Sequence, residues 1–330
     1  MIKTVLVTGG AGYVGAVLVP KLLKKGYGVK VLDWYIYGDV FRKYKKNPRL
    51  SEIKGDMRDV RMVKKALKGV DAVIHLACIS NDPSFELDPL LGKSINYDAT
   101  CMLADLAKKM GIKRFIYASS SSVYGVKKEK EVTEDLPLEP LTDYSKYKAL
   151  SEKYLLKLND DRFRVLILRP ATVCGYSARL RLDLTVNLLT AQALVNKKMT
   201  VFGGKQMRPN IHIEDMTDLY VKTLEYSDNK IAGKIYNAGY DNFSVLEIAK
   251  KIKKVLADPK LEITIQQSND NRSYQVSSKK IAKELGFKAK HTLEEAIGDL
   301  MLAYKRGQIS NALTDKRYYN IKMMQELKTD

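Results

Sequence analysis

Short apolar runs alternate with amphipathic segments through the first half of the chain. Six apolar runs rich in β-branched residues predict buried strands, and they lie at 2–8, 28–33, 50–54, 71–76, 113–119 and 164–168. Four segments between them have helical spacing of apolar positions, at 17–26, 60–68, 93–110 and 143–158. Strands that alternate with helices predict a parallel sheet covered on both faces, in which ligands bind beyond the carboxyl ends of the strands.

The alternation is looser after about residue 170. Further helices are predicted near 183–196, 214–226, 244–256, 278–285 and 292–306, and further strands at 199–203, 234–239 and 261–265. We therefore expect a sheet domain over residues 1–170 and a smaller mixed α/β C-terminal substrate lobe over 171–330 that interleaves with it. The charged stretch after residue 306 has two open interpretations, a docking tail or a frayed end.

The chain is long and apolar enough to bury a large core, since 45% of its 330 residues are hydrophobic. Its three cysteines, Cys78, Cys101 and Cys174, show no C-x-x-C spacing, so the sequence supports neither a disulfide framework nor a metal site. No signal-peptide pattern opens the chain, and no apolar run reaches membrane-spanning length. We expect a soluble cytoplasmic protein with no membrane partner.

The formal net charge is +19, from 57 Lys and Arg against 38 Asp and Glu. Such a balance can indicate nucleic-acid binding. The lysines, however, are spread over nearly every helix-like segment, without a basic tail or a recognition motif. A solvated lysine-rich surface is the favoured interpretation, and its positive field would attract a small anionic substrate.

A glycine motif lies between the first predicted strand and the first helix. Gly9, Gly12 and Gly15 permit a tight turn and a close approach of the backbone to a pyrophosphate at the helix N-terminus. The second strand ends in Asp33, whose carboxylate can accept the 2′-hydroxyl of an adenosine ribose and would repel a 2′-phosphate. The first domain is therefore expected to be a Rossmann-like doubly wound sheet that binds NAD rather than NADP.

A tyrosine and a lysine, Tyr144 and Lys148, lie one helical turn apart in the predicted helix 143–158. An ammonium beside a phenol favours the phenolate, so we expect a lowered tyrosine pKa and a general base. The same spacing is also common on exposed polar helix faces. The serine-rich segment 117–125 at a predicted strand end favours the catalytic interpretation, because the three features then form one active site.

These motifs occur together in an order that resembles a known superfamily. The segments are TGGAGYVG (8–15), GDMRD (55–59), HLA (75–77), SSSSVYG (119–125), YSKYKALSE (144–152), LRPATVCG (168–175) and RPNIHIED (208–215). They resemble the extended short-chain dehydrogenase/reductase superfamily, and within it the NAD-dependent nucleotide-sugar epimerase/dehydratase family that includes UDP-galactose 4-epimerase. Segments 78–89 and 171–184 also resemble a subgroup of dehydrogenases that act on GDP-heptose.

The resemblance implies a role for each matching residue. It implies that Tyr144 is the base, that Ser120 binds the reacting oxygen and that Lys148 binds the nicotinamide ribose. The implied NAD-binding residues are Gly9, Gly12, Tyr13, Val14, Gly15, Asp33, Asp56, Met57, Leu76, Ala77, Asn96, Tyr144 and Lys148. The implied substrate-binding residues are Ser80, Asn81, Ser121, Ser122, Asn187, Val201, Phe202, Arg208 and Arg272. Arginine suits a substrate diphosphate because its planar fork matches phosphate oxygens.

Departures from the family pattern narrow the reaction. Family dehydratases carry Asp-Glu directly after the catalytic threonine, where this chain has Ser121 and Ser122, so dehydration is disfavoured. The resemblance implies an NAD-dependent nucleotide-sugar 4-epimerase. A nucleotide-sugar C4 dehydrogenase of the GDP-heptose type and a non-catalytic NAD-binding regulator remain alternatives. The resemblance also implies a homodimer formed through helices 93–110 and 143–158, whose apolar residues Leu103, Leu106, Leu150 and Leu155 suit either an interface or the core.

Overall fold

The computed structural model describes residues 1–268 and 273–327. Its largest element is a parallel sheet of seven strands. The strands of the chain are β1 (Thr4–Thr8), β2 (Gly28–Asp33), β3 (Leu50–Lys54), β4 (Ala72–His75), β5 (Arg114–Ala118), β6 (Arg164–Pro170), β7 (Thr172–Cys174), β8 (Lys198–Phe202), β9 (Met207–His212), β10 (Lys234–Ala238), β11 (Asp241–Ser244) and β12 (Glu262–Gln266). The large sheet has the order β10-β6-β5-β4-β1-β2-β3. The predicted α/β class with a doubly wound parallel sheet is confirmed.

The helices of the chain either cover the two faces of this sheet or pack in separate cores of the second half. They are α1 (Gly15–Lys24), α2 (Val60–Leu67), α3 (Asp82–Glu86), α4 (Pro89–Lys93), α5 (Ala99–Lys109), α6 (Asp143–Leu158), α7 (Thr185–Asn196), α8 (Ile213–Thr223), α9 (Asp228–Ile231), α10 (Val245–Leu256), α11 (Lys279–Leu285), α12 (Leu293–Lys305) and α13 (Asn320–Leu327). Among the described residues, no helix is long and apolar enough to cross a bilayer.

The continuous apolar runs of the strands match burial on both sides of the sheet. Val5 and Val7 of β1 point into one core with side chains of α1 and α8, whereas Leu6 between them points into a second core with α2, α5 and α6. Successive side chains of a strand point to opposite faces, so a strand buried on both faces has no polar alternation. This explains why the apolar runs in the sequence predicted these strands.

The seventh strand of the large sheet comes from the second half of the chain. Strand β10 pairs in parallel with β6, with Lys234 opposite Leu166 and Ala238 opposite Pro170. The remaining strands form a three-stranded sheet, β11-β9-β7, and a parallel pair, β12-β8. Helices α7, α10 and α12 pack on that pair around a separate apolar core. The division of the chain at residue 170 stays a prediction.

One predicted helix is interrupted in the structure. Instead of a single helix over 93–110, the chain forms α4, a π-helical turn at Ser94–Asp98 and then α5. The turn presents Asn96, whose side chain accepts a hydrogen bond from the Ile79 amide (2.8 Å) and donates one to the Ile79 carbonyl (2.9 Å). A π-turn is a single-turn irregularity inside an α-helix, and nothing in the apolar pattern of 93–110 marked its position.

His75, at the end of β4, is wholly buried between two hydroxyl groups. Its Nδ1 lies 2.6 Å from Thr8 Oγ1, and its Nε2 lies 2.8 Å from Thr100 Oγ1. Burial, with a contribution from the charge of Lys148, lowers the pKa of His75 from its ordinary value of 6.5 to about 3. The folded protein therefore holds this imidazole neutral at any pH above about 3.

Acidification should therefore destabilise the protein through His75. The unfolded chain binds a proton at this histidine below pH 6.5, whereas the folded protein does not until about pH 3. From this one group we expect the free energy of unfolding to fall by about 2 kcal/mol between pH 7 and pH 5. Urea unfolding of the wild type and of His75→Gln at both pH values measures the difference. Equal losses in the two proteins would contradict it.

Candidate active site

A cavity of about 630 Å³ opens at the carboxyl ends of the sheet strands. Its walls come from the glycine turn after β1, the loops after β2, β4 and β5, and the start of α6. The loop at 175–184 and helix α13, both from the second half of the chain, complete it. The cavity lies where open parallel sheets bind ligands, outside the carboxyl ends of the strands.

The glycine turn is packed too closely for any side chain. A Cβ atom on Gly9, whose φ is +68°, would lie 2.6 Å from the Ala77 backbone. A Cβ on Gly15 would overlap the backbone of Gly10, and one on Gly12 would lie 3.1 Å from the Gly9 carbonyl oxygen. At these three glycines the backbone itself lines the cavity, and it leads into the N-terminus of α1, a favourable place for a phosphate.

Asp33 closes the same end of the cavity. Its carboxylate accepts hydrogen bonds from the amides of Ala11 (2.9 Å) and Tyr35 (2.7 Å). Burial raises the pKa of Asp33, and the two amide bonds act in the opposite direction. Met57 and Ile95 add apolar lining, whereas the Asp56 carboxylate lies outside the lining and pairs with Arg58 at 2.6 Å. The side-chain-free turn, the buried acid and the apolar lining fit the diphosphate, ribose and adenine of NAD.

The predicted catalytic residues line one part of the cavity. Ser120, Tyr144 and Lys148 are all among its walls, and a capping box of Thr142 and Ser145 fixes the start of α6 just before Tyr144. Lys148 Nζ donates to the Ala118 carbonyl oxygen (2.7 Å) at the end of β5. Ser120 Oγ accepts from the Ser122 amide at 3.1 Å, which holds the hydroxyl at the strand end.

The electrostatics of Tyr144 differ from the sequence expectation. Burial raises the pKa of Tyr144 above the ordinary tyrosine value and Cys78 adds to the increase, whereas the charges of Lys148 and Arg181 lower it. The expected influence of Lys148 is present, but burial outweighs it. With burial and these charges acting on it, the phenol is protonated near neutral pH.

A buried ion pair supports the strand end that carries Ser120. Arg169 Nη2 lies 2.6 Å from Glu152 Oε2, both side chains are 3% exposed, and Ser119 Oγ donates to the same carboxylate. Arg169 Nη1 also donates to the Tyr124 hydroxyl at 2.7 Å. Removing one partner of such a pair leaves an uncompensated buried charge, so the pair is costly to break. Because Ser119 donates to its carboxylate, the pair holds the backbone next to Ser120.

Several predicted substrate residues meet at the opposite wall. Ser80 Oγ accepts from Arg181 Nη1 (3.1 Å), and Asn81 Nδ2 donates to Asp183 (2.8 Å). Arg181 Nε and Asp183 also form an ion pair at 2.6 Å. Segments 78–89 and 175–184 are thus linked directly by their side chains. Ser121, Ser122 and Arg208 also line the cavity, as do Tyr13, Val14 and Leu76.

Other predicted residues do not reach the cavity. The Asn187 side chain accepts from the Gly175 amide (3.0 Å) and donates to the Tyr13 hydroxyl and the Arg181 carbonyl oxygen, so it holds the loop rather than a ligand. Val201 is buried in the separate C-terminal core, and the half-exposed Phe202 next to it lies outside the cavity. Asn96 is buried behind Ile79. Arg272 lies outside the described residues.

The sequence interpretation missed residues contributed by the loop at 175–184 and by α13. They are Arg179, Arg181, Asp183, Asn320, Ile321 and Met324, and all line the cavity. The clustered charges of R-L-R-L-D after a predicted strand were the available signal. Nothing comparable in the sequence marked Asn320, which meets its partners only through the fold.

Comparison with known proteins identifies the family. The pattern of the NAD dependent epimerase/dehydratase family matches residues 5–239. The chain belongs to this family. It is 31% identical to UDP-glucose 4-epimerase 2 of Arabidopsis thaliana, over 91% of this chain and 94% of that protein. It is also 31% identical to UDP-glucose 4-epimerase of Bacillus subtilis (strain 168), over 89% and 95%.

A solved structure confirms the fold of this family member. The UDP-glucuronic acid 4-epimerase of Bacillus cereus, solved in complex with UDP-glucuronic acid and NAD, superposes with a TM-score of 0.84. It is 27% identical to this family member, and the match covers 92% of this chain and 99% of that one. The predicted Rossmann-like architecture and NAD dependence of this chain are therefore confirmed.

The ionisation of Tyr144 can be tested directly. In protein stripped of nucleotide, we expect Tyr144 to stay protonated near pH 10, where an ordinary tyrosine is about half ionised, because burial raises its pKa. Carbon-13 NMR of labelled tyrosine, assigned with Tyr144→Phe, follows the titration. Replacing the charge in Lys148→Met should move the titration to still higher pH. Ionisation of Tyr144 below pH 9 in the wild type would contradict the raised pKa.

Proposed function

We propose that the protein is an NAD-dependent nucleotide-sugar 4-epimerase with a UDP-sugar as its substrate. The observation that carries the proposal is the arrangement of Ser120, Tyr144 and Lys148 in one cavity with a glycine turn that fits NAD. The relatives named UDP-glucose 4-epimerase, which match about nine-tenths of the chain, support the same reaction and nucleotide.

In the proposed mechanism, NAD held by the glycine turn, Asp33 and Lys148 would supply a cationic ring and the hydride acceptor and donor for the sugar C4. Tyr144 removes the proton of the C4 hydroxyl, and Lys148 stabilises the phenolate that this transfer requires. Ser120 donates a hydrogen bond to the same sugar oxygen as it becomes a carbonyl oxygen. Tyr144 then returns the proton when the hydroxyl forms again.

The side chains next to Ser120 support epimerisation rather than elimination of water. Ser122 Oγ lies 2.8 Å from Ser120 Oγ, and Ser121 Oγ donates to the Tyr274 hydroxyl at 3.4 Å. Both are neutral hydroxyl groups, which are poor proton donors and bases compared with a carboxyl pair. A dehydratase would need such a pair beside the sugar C5 and C6.

Binding roles within the cavity form part of the proposal. Gly9, Gly12 and Gly15 hold the dinucleotide backbone, Asp33 binds the adenosine ribose and Lys148 binds the nicotinamide ribose. Arg208 of β9 lines the cavity and binds the substrate diphosphate through its planar fork. Ser80 and Asn81, fixed by Arg181 and Asp183, form the wall beside the sugar.

A nucleotide-sugar C4 dehydrogenase is the second candidate. Segments 78–89 and 171–184, which resemble the GDP-heptose subgroup, are bonded to each other on the sugar side of the cavity through Ser80, Asn81, Arg181 and Asp183. An epimerase needs room for the oxidised sugar to turn, whereas a dehydrogenase releases it. This cross-linked wall is the feature that favours the dehydrogenase.

We also propose a homodimer through α5 and α6 and a cytoplasmic location. Leu103 and Leu155 are buried in the core of the single chain, so they do not belong to such an interface. Leu150 is 37% exposed and Leu106 is partly buried, and both remain available on the outer side of the two helices. All three cysteines are free thiols, which supports a reducing compartment.

The reaction can be identified with a panel of UDP-, GDP-, CDP- and dTDP-sugars. We expect a UDP-sugar to give an isomer of unchanged mass without net NADH, and in deuterium oxide the hydrogen at C4 should be retained. Mass spectrometry, proton NMR and NADH absorbance provide the measurements. Loss of the general base in Tyr144→Phe should lower the rate by at least roughly 100-fold. Tyr226→Phe, which removes a hydroxyl outside the cavity, should leave the rate unchanged.

Other outcomes of this experiment point to the alternatives. A product lighter by two hydrogen atoms, formed together with NADH, would replace the epimerase with the C4 dehydrogenase. If the protein binds NAD but turns over no sugar nucleotide in the panel, the non-catalytic regulator becomes the better interpretation.

The proposed dimer can be tested by light scattering after size-exclusion chromatography. Leu150→Glu places a charge on the outer side of α6 and should convert the dimer to a monomer. Leu302→Glu provides the matched control, because Leu302 is similarly exposed (45%) but lies on α12. A monomeric wild type, or a dimeric Leu150→Glu variant, would contradict the proposed interface.

A further inference from the structure

The loop at 175–184 carries a buried arginine that the proposed mechanism does not use. Arg179 lines the cavity and is only 4% exposed. Its guanidinium carbon lies 3.5 Å from the centre of the Tyr37 ring, and its Nη2 donates to Asn320 Oδ1. The Tyr37 hydroxyl donates to the same Asn320 oxygen at 3.1 Å. Two distant parts of the chain thus fix the orientation of this side chain.

The guanidinium of Arg179 is not satisfied by the protein around it. Its Nε is fully buried and has no hydrogen-bond partner within 1–268 and 273–327. No carboxylate of those residues forms an ion pair with Arg179, whereas Arg181 two positions later is paired with Asp183 at 2.6 Å. An unpaired buried donor on a charged group is costly to leave without an acceptor. The side chain is therefore ready for an anionic ligand.

The position of Arg179 indicates which ligand that is. Burial raises the pKa of the Asp33 carboxyl, and the charge of Arg179 acts on it in the opposite direction. The loop that carries Arg179 is also bonded to the glycine turn, because Ser177 Oγ donates to the Tyr13 carbonyl oxygen at 2.8 Å. The Tyr37 ring that Arg179 contacts lies in the loop after β2, which ends at Asp33. Arg179 therefore lines the cavity at the end that holds Asp33 and the glycine turn. Arg181, in contrast, is bonded to Ser80 and Asp183 on the other wall of the cavity.

We propose that Arg179 binds the diphosphate of the dinucleotide cofactor, opposite the glycine turn and the N-terminus of α1. The inference rests on the proposed function to the extent that NAD is the resident cofactor. Asn320 of α13 is a positioning residue in this site, because it holds the guanidinium and also donates to Ser80 Oγ at 2.8 Å. The second half of the chain thereby supplies a ligand to the cofactor, not only to the sugar nucleotide.

The test compares Arg179→Gln with the wild type for four ligands, NAD, ADP-ribose, adenosine and UDP. Binding to nucleotide-free protein is measured by calorimetry and by fluorescence of Trp34, the single tryptophan, which lines the cavity. Loss of a charge-assisted hydrogen bond should raise the dissociation constants of NAD and ADP-ribose by roughly 10- to 100-fold. Adenosine, which lacks phosphate, and UDP should each change by less than about twofold on the same scale.

Matched variants separate this contact from other effects. Arg317→Gln removes one positive charge from an exposed ion pair with Asp315, so it controls for the general positive field and should bind NAD normally. Arg179→Met is the second test variant, because it leaves no buried polar group behind if the glutamine impairs folding. Thermal unfolding shows which variants are folded, and either folded variant decides the result.

Each remaining outcome overturns a specific claim. Unchanged NAD affinity in Arg179→Gln or Arg179→Met, with a wild type that binds NAD, would refute the inference and leave the proposed function intact. An equal loss for adenosine would show that phosphate is not the group recognised. Weaker UDP binding with normal NAD binding would assign Arg179 to the substrate diphosphate. A wild type that does not bind NAD would refute the proposed function itself.

Discussion

The close approach of two backbone segments at the head of the sheet sets the geometry of everything around it. Gly9 lies against the backbone of Ala77, and Gly15 lies against that of Gly10, at distances that no side chain permits. These contacts bring the carboxyl ends of β1 and β4 together and begin α1 at the cavity. Backbone at these glycines therefore forms part of the cavity wall, and the side chains proposed to carry the chemistry come from the neighbouring strand ends and from α6.

Contacts from the second half of the chain connect it to the first half around the cavity. Strand β10 extends the first sheet, Asn187 holds the loop at 175–184 through Gly175 and Arg181, and Asn320 connects α13 to Ser80. The bonds between Asn81 and Asp183 and between Ser80 and Arg181 cross the sugar side. The proposed substrate and cofactor walls are consequently connected by shared side chains.

The sequence was sufficient for most of the sheet and for the motifs that lie on it. Strands buried on both faces give unbroken apolar runs, and Gly9, Ser120, Tyr144 and Lys148 stand at recognisable spacings beside them.

Helix α3 escaped prediction because five residues are too few to show a period. The π-turn at Ser94–Asp98 escaped because it is a single-turn irregularity inside a longer helical pattern. Arg179 and Asn320 are 141 residues apart, a separation over which local pattern carries no information. The net pKa of Tyr144 depends on how deeply it is buried, which a helical spacing does not reveal.

The parallel pairing of β10 with β6 also governs how the chain acquires its structure during synthesis. Residues 164–170 of β6 are made more than sixty positions before their partner at 234–238. Until that partner arrives, β6 is the open edge of a six-stranded sheet, with unpaired amides and carbonyls that could pair with another chain. Pairing over such a separation is slow, because a long loop must close first. The nascent first half is therefore exposed to aggregation until translation passes residue 238, a period in which a chaperone would protect it.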